Sequence, residues 1–353
     1  MKSELLNLIR TGTAIPATPL ALDTRRYFDE HRQRVLMRYY VDSGVGGVAV
    51  GMHFTQFEIR NPGIDLFEPV LRTCADELDR LSLSRNRPIL KVAGIHGRTE
   101  SALRQTELAR DLGYDVAIVS LAAFGGALDR EIIHHMKEIA KIMPVFGFYL
   151  LTGVGGIKLP FRFWRELVEI DNILGIKIAP FDRYGTIDVV RAVIAAGKEE
   201  SVTLYTGNDD SILYDLATPF TFEGPTGPKT IHIKGGLLGQ WACWTKTAVH
   251  FLQEMQRWQT LCEPLSRSQL TLSAEITDAN AAIFDAAHNY AGSIPGVNEI
   301  LYRQGLLTNI LTLKPDEVLA PGQADEITRV CSAYPHLNDD AFVAENLDRW
   351  INE

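Results

Sequence analysis

The amino-acid sequence predicts a (β/α)8 barrel of the TIM type, in the α/β class, followed by a C-terminal helical extension. Short apolar runs rich in Val, Ile and Gly recur eight times and alternate with longer helical segments. Parallel strands that are buried on both faces have such nearly continuous apolar sequences. Eight βα repeats favour a closed barrel, because a doubly wound sheet usually has fewer strands.

The predicted elements follow one another in a regular order. The candidate strands are residues 13–18, 45–50, 88–93, 115–119, 144–149, 173–178, 202–206 and 231–236. The helical segments between them are residues 27–43, 67–83, 99–112, 130–142, 161–170 and 186–196. Residues 220–229 are rich in Gly and Pro, which predicts a long loop. We therefore predict a barrel in residues 1–240 and an extension in residues 241–353, with helices at 241–258, 265–287, 297–307 and 340–352.

Composition excludes several classes of protein. The 353 residues carry a formal net charge of −9, which does not favour nucleic acid or an anionic membrane surface as a partner. We expect no signal peptide and no membrane span, and therefore a cytoplasmic protein. The cysteines form no CxxC pair, so we expect free buried thiols rather than a zinc or redox site. They are Cys74, Cys243, Cys262 and Cys331.

Lysines within apolar strands are the first candidate catalytic residues, because burying an ammonium group is unfavourable. The candidates are Lys91, Lys177 and Lys234. A lysine at a strand end can instead extend its amine to water. A Schiff-base lysine needs an apolar site that lowers its pKa. Lys177 lies near the C-terminal end of the sixth strand, where such barrels carry their chemistry, so we predict that Lys177 is the nucleophile.

A tyrosine ends the preceding candidate strand. Tyr149 is the last residue of the fifth apolar run. Its hydroxyl is expected to lie beside Lys177 and to transfer protons during catalysis. The alternative is an amphipathic tyrosine that only packs in the core.

Several motifs together resemble the dihydrodipicolinate synthase and N-acetylneuraminate lyase family of class I aldolases. Residues 12–20 look like the first strand of that family, and Gly175-Ile176-Lys177 with Asp182 resembles its Schiff-base strand. Lys177 follows Tyr149 by 28 residues, which is the spacing of the catalytic pair in the family. The resemblance covers about residues 12–241. It implies a Schiff base on Lys177, proton transfer by Tyr149, and a homo-oligomer, either a dimer or a tetramer.

The sequence also departs from this family's pattern. Gly51-Met52-His53 stands where pyruvate-using members have a pair of threonines. The exit of the fourth strand, residues 120–124, lacks the usual tyrosines, and residues 150–156 contain no arginine. We therefore do not expect true dihydrodipicolinate synthase activity.

Six residues are candidates for substrate binding. His53 can donate a hydrogen bond to a ligand, whereas its neighbour Met52 cannot. Residues 205–210 resemble the segment with which sugar-acid members of the family bind substrate hydroxyls, which implies the same role for Gly207, Asn208 and Asp209. A metal site there is not expected, because adjacent acids on one turn seldom suffice. His96 follows the third strand and is either a pocket residue or a solvated loop histidine.

The resulting interpretation is a Schiff-base lyase of the aldolase type that acts on a small 2-oxo acid or a carbonyl compound derived from a sugar acid. No cofactor is expected, because the iminium on Lys177 itself withdraws electrons from the substrate. Two alternatives stay open: a dehydratase of 2-oxo-3-deoxy sugar acids, and a sugar-acid-binding barrel without catalysis.

Overall fold

The computed structural model describes residues 1–261 and 264–353. Ten strands occur in this part of the chain, and eight of them form one parallel sheet in the order β1-β10-β7-β6-β5-β4-β3-β2. The strands are β1 Ala14–Pro16, β2 Gly47–Val50, β3 Leu90–Ile95, β4 Val116–Val119, β5 Val145–Leu150, β6 Ile173–Ala179, β7 Thr203–Thr206, β8 Phe220–Gly224, β9 Gly227–Ile231 and β10 Gly235–Leu238.

The sheet closes into a barrel where β1 meets β2, the strands at the two ends of the strand order. Ala17, just after β1, forms a parallel bridge to Ala49 in β2. The amide of Thr18 donates to the carbonyl of Ala49 at 2.9 Å. Because all eight strands are parallel, their C-terminal ends lie on one rim. The predicted TIM barrel is confirmed.

Helices cover the outside of the barrel and continue beyond its last strand. Strands β2 to β5 are buried along their whole length, in keeping with their apolar sequences. The helices are α1 Ser3–Thr11, α2 Glu30–Ser43, α3 Phe67–Ser84, α4 Thr99–Asp111, α5 Asp129–Ala140, α6 Phe161–Leu167, α7 Arg183–Ala195, α8 Ile212–Ala217, α9 Thr245–Leu261, α10 Arg267–Ile283, α11 Ser293–Arg303, α12 Gln323–Ala333 and α13 Asp340–Asn352.

The predicted long loop before the last barrel strand is wrong. Strands β8 and β9 form an antiparallel hairpin in a two-stranded sheet of its own. The hydroxyls of Thr221 and Thr230 form a hydrogen bond across it at 2.7 Å. The Gly- and Pro-rich sequence supplies the turn, and the residues on either side alternate in exposure as strand residues do. The last barrel strand consequently begins at Gly235 rather than at residue 231.

The C-terminal extension is helical, as predicted, but its boundaries differ. Trp241 lies in a short 3-10 turn, and Trp244 has a φ of 54°, so α9 begins only at Thr245. Pro295 lies inside the first turn of α11 instead of before it, a position where a missing amide does no harm. Helix α12 was not predicted.

Three of the four cysteines lie in the described part of the chain, and all three are free thiols. Cys74 and Cys243 are buried free thiols, Cys331 is a half-buried one, and Cys262 lies outside the described residues. Within residues 1–261 and 264–353, no helix has both the length and the apolar character that crossing a bilayer requires.

Candidate active site

A cavity of about 50 Å³ lies at the C-terminal rim of the barrel. Residues that end or follow β1, β2, β5, β6, β7 and β10 contribute to its walls, and so does the C-terminal extension. Such a volume holds only a few water-sized groups, so a ligand in it would be small. The lining residues are Ala17, Met52, His53, Phe54, Phe148, Leu150, Leu151, Val154, Lys177, Ala179, Phe181, Gly207, Asp209, Gly239, Phe284, Tyr290 and Ser293.

Lys177 lies on β6 and points into this cavity. Its Nζ lies 4.5 Å from the ring centroid of Phe148, the residue paired with it on β5. The side chain is buried, and within the described part of the chain no carboxylate forms an ion pair with it. Burial lowers the pKa of Lys177, while the charge of Asp209 opposes that shift. A larger fraction of this amine is therefore free base near neutral pH than for a lysine in water.

The other two strand lysines lie elsewhere. Lys91, near the start of β3, forms an ion pair with Asp79 of α3 at 2.6 Å, so it faces the helical layer. Lys234 immediately precedes β10 and is half-buried at the opposite end of the barrel from the cavity. Of the three, only Lys177 reaches the cavity.

Gly207 makes room for the lysine side chain. A Cβ atom at this position would lie 2.6 Å from Cε of Lys177 and 2.8 Å from Cβ of Ala179. Atoms at these distances overlap, so no larger residue fits without moving Lys177. Gly207 thus shapes the site through the stem of the lysine.

Asp209 is the acidic residue of the cavity. One of its carboxylate oxygens accepts a hydrogen bond from the amide of Gln240 at 2.8 Å. Burial raises the pKa of Asp209, whereas that hydrogen bond and the charge of Lys177 act in the opposite direction. The cavity therefore holds a base and an acid whose protonation states depend on each other.

Two of the predicted binding residues follow β2 into the cavity. Met52 is 1% exposed and lines it with its thioether. Nε2 of His53 lies 3.5 Å from Oγ of Ser293. Burial, reinforced by the charge of Lys177, lowers the pKa of His53 to about 4. This imidazole is therefore neutral at physiological pH and can donate or accept one hydrogen bond at each nitrogen.

Comparison with known proteins adds a second line of evidence. No family model matches the chain. It is 28% identical over 117 residues to 4-hydroxy-tetrahydrodipicolinate synthase of Alkaliphilus oremlandii, which covers 33% of this chain and 38% of the relative. It is 22% identical over 320 residues to N-acetylneuraminate lyase 2 of Escherichia coli O6:H1, covering 90% and 92%. The chain thus matches about two fifths of the length of the first of these relatives and nearly all of the second.

The chain is thus similar to members of the dihydrodipicolinate synthase and N-acetylneuraminate lyase family, at identities low enough to indicate wide divergence. Solved structures show the same fold: dihydrodipicolinate synthase from Oceanobacillus iheyensis aligns with a TM-score of 0.74 at 15% identity, over 94% of this chain and 98% of the other. CdNal from Clostridium difficile, solved with mannosamine, gives 0.71 at 15% identity, over 92% and 99%.

Tyr149 does not occupy the position that its spacing in this family predicts. Phe148 on β5 is paired with Lys177 on β6, and Tyr149 is paired with Ile178. The side chains of Tyr149 and Lys177 therefore point to opposite faces of the sheet. The Tyr149 hydroxyl accepts a hydrogen bond from the amide of Leu159 at 3.4 Å, and its ring lies 5.1 Å from that of Trp164 on α6. The expectation that Tyr149 lies beside Lys177 is wrong.

Asn208 also faces away from the cavity, because it alternates with Gly207 and Asp209. Its amide donates to Thr186 at 2.9 Å and to Asp215 at 2.8 Å, and its carbonyl accepts from the amide of Phe181 at 3.0 Å. All of its polar atoms are therefore engaged in holding α7 and α8 against the barrel. The expected contact between Asn208 and substrate is not supported.

His96 lies near the rim but outside the cavity. Its ring stacks on Phe57 at 4.4 Å, and its amide donates to the side chain of Gln105 at 3.2 Å. Neither His96 nor Phe57 is among the described residues that line the cavity with Lys177. The structure therefore does not support a direct role for His96 in binding.

The C-terminal extension supplies three cavity residues that the sequence did not reveal: Phe284, Tyr290 and Ser293. The Tyr290 ring packs edge-on against Phe181 at 5.5 Å. Tyr290 lies in the connection between α10 and α11 and has a φ of 67°, a left-handed conformation that no sequence motif predicts. Only the packing of the extension brings this hydroxyl into the site.

Proposed function

We propose that this protein is a class I aldolase-type lyase in which Lys177 forms a Schiff base with a small carbonyl substrate. The observation that carries the proposal is the burial of a single lysine amine, with a lowered pKa, in a cavity at the catalytic rim of the barrel. Similarity to a 4-hydroxy-tetrahydrodipicolinate synthase and to an N-acetylneuraminate lyase supports it. A buried free amine is the nucleophile that such chemistry requires.

The reaction proceeds through an iminium. The Nζ lone pair of Lys177 attacks the carbonyl carbon, and the carbonyl oxygen takes up a proton to give a carbinolamine. Loss of water then forms the carbon–nitrogen double bond with a positive charge on nitrogen. When the bond between the carbon α to the iminium and the hydroxyl-bearing β carbon breaks, its electron pair moves toward the iminium and leaves an enamine. The β-hydroxyl of the departing fragment loses its proton and becomes a carbonyl group. Protonation of the enamine and hydrolysis release the second product and regenerate the amine.

Asp209 is our candidate for the group that accepts the hydroxyl proton. Its carboxylate lines the same cavity, and burial raises its pKa toward neutrality, where a general base works well. Tyr149 is excluded from this role by its outward orientation. Tyr290 is the hydroxyl that lies within the cavity and can hydrogen-bond the substrate oxygen.

Borohydride trapping tests the nucleophile. The protein is incubated with acetaldehyde, acetone, glycolaldehyde and pyruvate in separate reactions, reduced, and analysed by intact mass and peptide mapping. We expect a reduced adduct on Lys177, and we expect Lys177→Arg to abolish it. Lys91→Arg is the matched control, because Lys91 is also a strand lysine but forms an ion pair on the outer wall. This control is expected to trap as the parent protein does.

Two outcomes contradict the proposal. One is an adduct that maps to Lys91 or Lys234, or that persists unchanged in Lys177→Arg. The other is the absence of an adduct with every carbonyl compound, which would favour a binding barrel without catalysis.

A further inference from the structure

A second cavity lies beside the barrel, between the C-terminal helices and the residues that follow β10. Its volume is about 220 Å³, and it shares no lining residue with the cavity around Lys177. Its walls come from α8, residues 240–244, α9, α10 and the residues before α13. An apolar cavity of about 150 Å³ is large enough for one benzene molecule. The second cavity therefore has room for a single aromatic ring with a short substituent.

Aromatic and aliphatic side chains form much of this second wall. Trp241, Trp244 and Phe251 contribute three aromatic rings, and Ile276 of α10 is one of the aliphatic residues. The indole of Trp241 is fixed in place, because a Cβ atom at Gly236 would lie only 2.4 Å from its Cζ3. Rings pack favourably against other aromatic rings, so these walls suit a planar aromatic compound better than a flexible one.

Three buried side chains bring hydrogen-bond donors to the same wall. Gln240, Trp241 and Trp244 are 6%, 3% and 4% exposed. The side-chain oxygen of Gln240 accepts from Asn280 of α10 at 3.1 Å, which leaves its NH2 group free to donate. Within residues 1–261 and 264–353, no group accepts a hydrogen bond from this NH2 or from either indole N–H. Since unpaired buried donors are unfavourable, an oxygen atom of a ligand would stabilise this wall.

The titratable side chains of the second cavity lie at its exposed edge. They are His250, Glu254 and His336, and His336 is already paired with Glu275 at 2.9 Å. The buried part of the wall thus offers neutral N–H donors to a ligand. Such donors can bind a carbonyl oxygen as well as a carboxylate.

We propose that this second cavity binds a small planar aromatic compound that carries a carbonyl or carboxylate oxygen. The ring packs against Trp241, Trp244 and Phe251, and the oxygen accepts from the side-chain amide of Gln240. This inference goes beyond the proposed function, because it concerns a separate cavity and does not depend on a Schiff base.

Calorimetric titration of the full chain tests the choice of ligand. Benzoate and benzamide carry the ring with each kind of oxygen, benzylamine carries the ring with donors only, and acetamide carries the oxygen without the ring. We expect benzoate and benzamide to bind with a dissociation constant of about 1 mM or lower, an ordinary affinity for compounds of this size. Benzylamine and acetamide should bind at least about tenfold more weakly, because each lacks one half of the recognition.

Variants of the wall locate the ligand. Ile276→Trp fills the cavity and should weaken benzoate binding by at least about tenfold. The matched control is Leu270→Trp, which adds the same indole to α10 at a residue that is exposed and does not line the cavity, and it should leave the affinity unchanged. Gln240→Leu and Trp244→Phe each remove an N–H donor at little change in shape and should weaken binding several-fold. Thermal unfolding of each variant shows that it is folded, and a folding defect in one leaves the others as tests.

Three results would overturn the inference. One is the absence of binding by both benzoate and benzamide. Another is binding that Ile276→Trp, Gln240→Leu and Trp244→Phe all leave unchanged, because the ligand would then lie elsewhere. The third is equal affinity for benzylamine and benzoate, which would show that no acceptor oxygen is recognised. None of these results bears on the Schiff base, which trapping on Lys177 tests independently.

Discussion

The amine of Lys177 and the carboxylate of Asp209 influence each other because both are buried in one cavity. Burial favours the neutral form of each group, which means a lower pKa for the lysine and a higher pKa for the aspartate. Their opposite charges favour the ionised forms and partly restore the ordinary values. The reactivity of Lys177 therefore depends on whether Asp209 carries its charge.

This coupling predicts how the pH profile of Asp209→Asn will change. The charge of Asp209 raises the pKa of Lys177, so its removal leaves burial unopposed and lowers that pKa further. Because only the free amine attacks a carbonyl, the rising limb of the trapping rate against pH should move to lower pH, by roughly one unit. The measurement is the initial rate of borohydride trapping of acetaldehyde on Lys177 between acidic and alkaline pH.

The neighbouring acid provides the control for that experiment. Asp210→Asn removes a carboxylate one residue away that does not line the cavity, and it should shift the limb much less. A limb that stays in place in Asp209→Asn, or moves to higher pH, would show that the two groups are not coupled in this way.

At the scale of the secondary-structure element, the alternation of β5 decides which side chains reach the site. Phe148 and Leu150 line the cavity, while Tyr149 between them packs under α6 and α7. The pairing of β5 with β6 shifts register between Val145 and Phe146. Since a shift of one residue exchanges the two faces of a strand, spacing along the chain alone cannot fix the facing of Tyr149.

We therefore expect Tyr149→Phe to trap carbonyl compounds nearly as fast as the parent protein. The substitution removes a hydroxyl that accepts one hydrogen bond, from Leu159 at 3.4 Å, so stability should fall by about 1 kcal/mol or less. Tyr290→Phe makes the same change inside the cavity and should slow trapping more. Kinetics of adduct formation and urea unfolding provide the two measurements. A rate reduced by about 10²- to 10⁴-fold in Tyr149→Phe would instead identify it as a proton shuttle.

At the scale of the whole molecule, a buried carboxylate joins the extension to the barrel. Asp339, just before α13, accepts hydrogen bonds from the Tyr39 hydroxyl of α2 at 2.7 Å and from the Lys246 amide of α9 at 2.9 Å. Gln304 donates to its other oxygen at 2.8 Å. These contacts hold helices from both parts of the chain around one acid. The boundary that we predict at residue 240 therefore separates two segments that pack against each other as one unit. The homo-oligomeric state and the surfaces that would form it stay a prediction.

Asp339→Ala should lower the free energy of unfolding by roughly 2–4 kcal/mol, because it leaves several buried donors without an acceptor. The control is Asp340→Ala, which removes an exposed neighbour that also accepts from Gln304, and should change stability by only about 0.5 kcal/mol. Urea unfolding gives both values, and trapping on Lys177 should persist in the folded fraction of each variant. Equal effects of the two substitutions would contradict a special role for Asp339.

Local sequence patterns were enough to predict the eight barrel strands and their closure, and they indicated that Lys177 lies nearer the catalytic rim than the other strand lysines. These features depend on local patterns: apolar runs, their alternation with helices, and the distance of a lysine from the end of its strand. Gly207, Asp209, Met52 and His53 line the cavity, since residues that follow parallel strands meet at one rim, and their role in substrate binding stays a prediction.

The tertiary structure alone decided which of the rim residues face the cavity. The facing of Tyr149 and Asn208 depends on the register between neighbouring strands, and one residue of shift reverses it. Tyr290 and Ser293 enter the site because the C-terminal extension packs over the barrel, and contacts so distant along the chain leave no periodic signal in the sequence. The scaffold follows from short-range patterns of apolar residues, whereas the chemical surface of the cavity is set by long-range packing.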